Sequence, residues 1–170
     1  MYRMLARFGA ALLLLALSVA AGASADPTTR IRPYGGSGPL VFGMSPAQVH
    51  AVIGEQPRST GVTKTGERDE DYPSLSACYA KDSDVLVWLA LTSALDVCFQ
   101  DMNLFTTPDV VARLAEADGA PLAGLGFTVF KNLGIALADF DSDQESDRVV
   151  QLFQRGRWDG IKSLVPFAAP

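Results

Sequence analysis

Apolar positions change their period along this chain. They open as one nearly continuous run over 10–21, recur twice at helical spacing, and elsewhere fall into short runs broken by turn residues. Arg3 and Arg7 precede the first run, and the small triplet Ala23-Ser24-Ala25 precedes Asp26. That is the layout of a secretory signal peptide cleaved after Ala25. The run is shorter than the roughly 20 residues a spanning helix needs. Residues 1–25 are therefore expected to be removed, leaving a periplasmic or secreted protein with no membrane insertion. Residues 26–40 are rich in Pro, Gly, Ser and Thr, which favour turns and extended backbone, and read as a flexible lead-in with one short strand at its end.

The first helical pattern lies in "FGMSPAQVHAVIGEQP". Ser45 offers an oxygen to the first free amides, Pro46 sits where no amide partner is needed, and Gln48 completes an S-x-x-Q capping box. Val49, Val52 and Ile53 give one apolar face, and Gly54 and Pro57 stop the helix. A helix so short is marginal alone and needs a surface to pack on. A looser version follows in "LFTTPDVVARLAEADGAP". There Thr107 is expected to cap and Pro108 to take the first turn, with Val110, Val111, Leu114 and Ala115 as the apolar face and Gly119 and Pro121 as the end.

Between the helices, 77–80, 85–91 and 95–100 are apolar or aromatic runs separated by "KDSD" and "TSA", the signature of an antiparallel meander. The polar stretch before them reads as an edge strand or exposed hairpin arm. After the second helix, "GFTVFKN", "LGIALADF" and "RVVQLFQRGRW" read as a second meander, whose last two strands are joined by the acidic loop "DSDQESD". The expected fold class is α+β. Two short helices pack on one face of an antiparallel sheet in a single domain over 41–170, and a helix-plus-meander unit recurs over 41–103 and 104–160.

Charge and cysteine usage narrow the function. The chain of 170 residues carries 14 Lys plus Arg against 19 Asp plus Glu, a net charge of -5, and the signal removes two of the basic residues and none of the acidic ones. With no basic cluster, binding to nucleic acid or anionic lipid is not expected; a basic protein partner is left open. Cys78 and Cys98 are the two cysteines, an even pair in an oxidising compartment, and a disulfide between them is expected over two buried thiols. A simple meander works against that bond, because it would hold the two on strands flanking a central one, roughly 10 Å apart.

In the first helix, Gly43, Met44, Ser45, Val49, Ile53, Gly54 and Pro57 resemble the G-M-[ST]-x-x-x-V entrance and L-G-x-P exit of the SmpA/OmlA family of outer-membrane assembly lipoproteins. The tandem helix-meander order is similar to that of the β-lactamase inhibitory protein family, and the stretch from "LGIAL" through "QLFQRGRWD" to bacterial immunity proteins. These resemblances imply binding to another protein rather than catalysis. No functional residue is carried over from them.

Candidate chemistry is sparse. His50 is the one histidine, and with no nucleophile motif such as G-x-S-x-G, a surface or boundary side chain is the simpler reading. A histidine metal site needs a second imidazole or thiolates, so no metal or cofactor is expected. The acidic loop fails as an EF-hand counted from Asp139, because Gln144 falls at the turn glycine and Val150 at the terminal glutamate. Trp88, inside an apolar strand, reads as core. Tyr72, Tyr79, Phe130 and Trp158 border polar stretches; Tyr72, Tyr79 and Trp158 are the expected partner anchors, with Asp141 and Asp143 steering a basic partner.

The expected function is that of a non-enzymatic, exported protein-binding module of the inhibitor or immunity type. An envelope-assembly accessory of the SmpA/OmlA type is the alternative. A hydrolase would require a deep pocket holding His50 beside a carboxylate.

Overall fold

A computed structural model describes residues 28–142 and 144–167. The expected signal segment and Asp143 lie outside the described residues. The described residues begin with three short strands, β1 (Thr28–Arg32), β2 (Gly36–Ser37) and β3 (Leu40–Val41), followed by helix α1 (Pro46–Ile53). Four strands come next: β4 (Ser59–Val62), β5 (Arg68–Asp71), β6 (Leu75–Tyr79) and β7 (Leu86–Thr92). After β8 (Asp96–Phe99) and β9 (Met102–Asn103) comes helix α2 (Val110–Asp118). The chain then forms β10 (Leu122–Gly124), β11 (Phe127–Phe130), β12 (Ile135–Ala138), β13 (Val149–Phe153) and β14 (Val165–Pro166), with one 3-10 turn at Glu145–Asp147.

The fold is mixed α+β and mostly sheet. A nine-stranded antiparallel sheet has the order β14-β10-β11-β12-β13-β7-β6-β5-β4, and a five-stranded sheet the order β3-β2-β1-β8-β9. In the smaller sheet β1 and β8 run parallel. The polar strand β4 forms one edge of the large sheet.

Local chemistry accounts for the helix ends. The Gln48 amide donates to Ser45 Oγ at 3.4 Å and the Ser45 amide to Gln48 Oε1 at 2.9 Å, closing the capping box, and Gly54 takes a left-handed φ of 79° to stop α1. The second helix begins later than expected. Asp109 is its N-cap, in a left-handed conformation with no side-chain cap bond, and Thr107 and Pro108 belong to the preceding turn. That turn is tied instead by Asn103, whose Oδ1 accepts from the amides of Phe105 at 2.9 Å and Thr106 at 3.1 Å.

One hydrophobic cluster joins the elements: Val49 of α1, Leu114 of α2, Leu89 and Leu91 of β7, Ile135 of β12 and Val97 of β8 are all fully buried in it. Each such side chain contributes about 1.5–3 kcal/mol by leaving water. A smaller cluster, Val129, Ala136 and Phe153, lies across the sheet. Side chains alternate between faces along β7 and β13, so Trp88, paired with Phe153, looks to this second cluster while Leu89 and Leu91 look to the first.

Two further expectations are corrected. Residues 28–40 of the expected lead-in form β1, β2 and β3, because Ile31 and Leu40 are buried in the main core and hold the segment down. The expected three-stranded meander ends at β7: that strand takes β13 as its other neighbour, with Val149 opposite Thr92 and Phe153 opposite Trp88. β8 leaves for the other sheet, where Cys98 stands opposite Arg30 and Asn103.

Candidate functional site

Strand β5 reads Arg68-Asp69-Glu70-Asp71, four charged residues in a row, yet Glu70 is fully buried. It stands opposite Ala77, on the face that carries the buried Leu75 and Tyr79. A carboxylate there must find donors or lose its charge. It finds four. Glu70 Oε2 accepts from Tyr79 Oη at 2.8 Å, His50 Nε2 at 2.9 Å and Tyr72 Oη at 3.0 Å, and Oε1 accepts from Arg68 at 2.5 Å. Arg68 also reaches Asp84 at 3.3 Å and lies 5.5 Å from the centre of the Tyr79 ring. Burial alone would raise the Glu70 pKa; the hydrogen bonds from Tyr79, His50, Arg68 and Tyr72 outweigh it and hold the group below the ordinary carboxylate value. The two phenols are pushed upward, first by burial and then by the Glu70 charge.

This node changes the reading of three residues. Tyr79 is fully buried and Tyr72 is 6% exposed, so neither ring stands on an open face as a partner anchor; their hydroxyls are spent on Glu70. His50 is a half-buried boundary residue whose Nε2 joins the same node, and it lines neither of the two cavities described below.

Cys78 and Cys98 are not bonded to each other. The bridge expected from compartment is absent: Cys78 lies on β6 of the large sheet and Cys98 on β8 of the smaller one. Burial, followed by the charge of Glu67, pushes the Cys78 thiol up to about 11.

Trp158 is half-buried. Its ring meets Phe127 at 5.3 Å and Phe153 at 6.1 Å, edge to face, and it packs on the smaller core cluster. It also borders a groove of about 810 Å³ shared with Trp88, Gln151, Gln154, Arg155 and Arg157. Trp88 Nε1 donates to Gln151 Oε1 at 3.3 Å, and Arg157 lies 5.8 Å from the Trp88 ring. Arg157 also clasps Glu67 with two bonds, at 2.7 and 3.2 Å, which lower the Glu67 pKa and tie the groove wall to the β4–β5 hairpin. Asp141 is exposed beside a second cavity of about 1020 Å³, next to the start of α2.

No protein-family model, curated protein or solved structure matches the chain. Fold and site together define a class by architecture alone: an α+β sheet protein with a buried carboxylate node and an aromatic groove across the sheet from its main core.

The sequence reading missed Glu70. Its two charged neighbours on either side made β5 look like a solvated edge, and its donors stand two, nine and twenty residues away. Asp118 was missed for the same reason. It is buried at the end of α2, where its carboxylate accepts from the amides of Asn132 at 2.7 Å and Leu133 at 3.2 Å.

Proposed function

We propose that this chain is an exported protein-binding module of the inhibitor or immunity type, acting on another envelope or secreted protein. The observation that carries the reading is the groove beside Trp88. Tryptophan and arginine are the side chains most enriched at binding hot spots, and Trp88, Trp158, Arg155 and Arg157 converge there around the amides of Gln151 and Gln154. The order of elements supports the same reading. α1 precedes β4 to β7, α2 precedes β10 to β13, and the two runs meet where β7 pairs with β13. That is how a duplicated helix-meander unit would join into one broad sheet, with both helices on one side and the other side available to a partner.

Affinity capture from an envelope extract, with residues 26–170 as bait, supplies the partner. The deciding measurement is the affinity of that partner for Trp88→Ala. A hot-spot indole should cost about 2 kcal/mol or more when truncated, with the melting temperature recorded to separate binding from folding. Unchanged affinity in a folded Trp88→Ala variant would remove the groove from function.

A further inference from the structure

The larger cavity lies between the start of α2 and the loop after β12. Phe105, Phe127, Phe140 and Phe167 line it, and Phe105 stacks on Phe140 at 5.9 Å. Its charged lining is one-sided: Asp109, Asp139, Asp141 and Glu145 stand against a single cation, Arg148. Glu145 has that arginine at 3.5 Å, whereas no ion pair among the described residues involves Asp109, Asp139 or Asp141, all three of which are exposed. The Arg148 guanidinium lies 5.6 Å from the centre of the Phe140 ring. One wall of the cavity therefore already seats a guanidinium between an aromatic face and a carboxylate.

We infer that this cavity receives a basic side chain, arginine or lysine, presented by a protein partner. The inference rests on the protein-binding reading and names the partner's chemistry. Apolar walls suit the methylene stem of such a side chain, ring faces attract its cationic head, and three carboxylates without ion pairs complement its charge. An acidic side chain would meet like charge at the rim. A neutral apolar one would fill the walls and leave the carboxylates without a counter-charge.

The test needs no partner. N-acetyl-argininamide is titrated into the isotope-labelled mature chain and followed by NMR, with N-acetyl-methioninamide as a neutral probe of similar length and N-acetyl-glutamamide, whose side-chain carboxylate is free, as the acidic one. Shifts over 105–112 and 137–148 are expected for the arginine probe, weaker with added salt. The double variant Asp139→Asn, Asp141→Asn should bind it about tenfold more weakly. Asparagine tolerates the left-handed φ of 58° at position 139, so the backbone is preserved. The methionine probe binding as well as the arginine probe, shifts that avoid the cavity, or an unchanged double variant would each overturn the inference. Because the cavity shares no lining residue with the Trp88 groove, the probe's result stands apart from the capture experiment.

Discussion

Glu70 and His50, twenty residues apart in sequence, share a 2.9 Å hydrogen bond between Oε2 and Nε2 that ties α1 to β5. An ionised carboxylate only accepts, so Nε2 carries the proton whether the ring is neutral or charged. A histidine oriented by a carboxylate is half of what a hydrolase would require. The other half, a pocket around the ring, is not supplied by either cavity. The contact is better understood as a fastening: an eight-residue helix, too short to persist alone, is held by its buried Val49 and by a polar tether one residue on.

The tether sets an acid limit on stability. Glu70 sits below its ordinary 4.5 in the folded state, so its contribution is complete above the unfolded carboxylate range and is lost as pH falls through the folded value. Thermal unfolding midpoints should drop on acidification below that range. In Glu70→Gln the dependence should flatten and neutral-pH stability fall by about 1–3 kcal/mol. Equal pH slopes in the two proteins would clear Glu70 of this role.

His50→Ala removes one of four donors and leaves the other three. The expected cost is about 1.5–3 kcal/mol, the range for a hydrogen bond to a charged group, read as a lower urea midpoint with the slope unchanged. A loss near zero would show that α1 is held by its apolar face alone.

Tyr72 and Tyr79 should resist ionisation. Burial in the first place and then the Glu70 charge raise both phenols. Alkaline titration followed by phenolate absorbance should show them staying protonated until the protein unfolds. Ionisation of either phenol in the folded protein would contradict the burial of the node.

Cys78 should be inert while the protein is folded. Its thiol is 1% exposed and, with a pKa pushed up to about 11, almost wholly protonated at neutral pH. Alkylation followed by peptide mass mapping should find it unmodified in the native protein and modified after unfolding without reductant. If it stays blocked in the unfolded, unreduced chain, a disulfide has formed.

Trp158→Ala tests packing against recognition. The ring covers Phe127 and Phe153 from outside, and being half-buried it should cost roughly 2–3 kcal/mol, somewhat less than a fully buried ring. A stability loss with partner affinity intact would mark it as a cover for the second cluster. The reverse would restore it as an anchor.

The α1 capping box, the second meander β11 to β13 and the polar edge β4 were legible in the sequence. Each rests on neighbours a few residues apart, where turn chemistry and periodicity act. The path after Thr92 was not legible. Nothing in "TSALDVCFQ" says that β7 will take β13 as its neighbour, because strand pairing across 57 to 65 residues is decided by which apolar faces close together. The Glu70 node was hidden for a related reason: a charged strand looks solvated until a helix and two tyrosines from elsewhere converge on one of its carboxylates.

By itself, then, the sequence determined what is local: where helices start and stop, which runs are strands, and the acidic balance of the chain. Tertiary structure alone decided that two sheets form instead of one, that Cys78 and Cys98 part company, that Tyr72 and Tyr79 face inward, and that exposed acids gather at an aromatic cavity. The physical reason is that a backbone turn is fixed by the few residues that make it. Burial and pairing are properties of surfaces, and those surfaces exist only once distant segments have met.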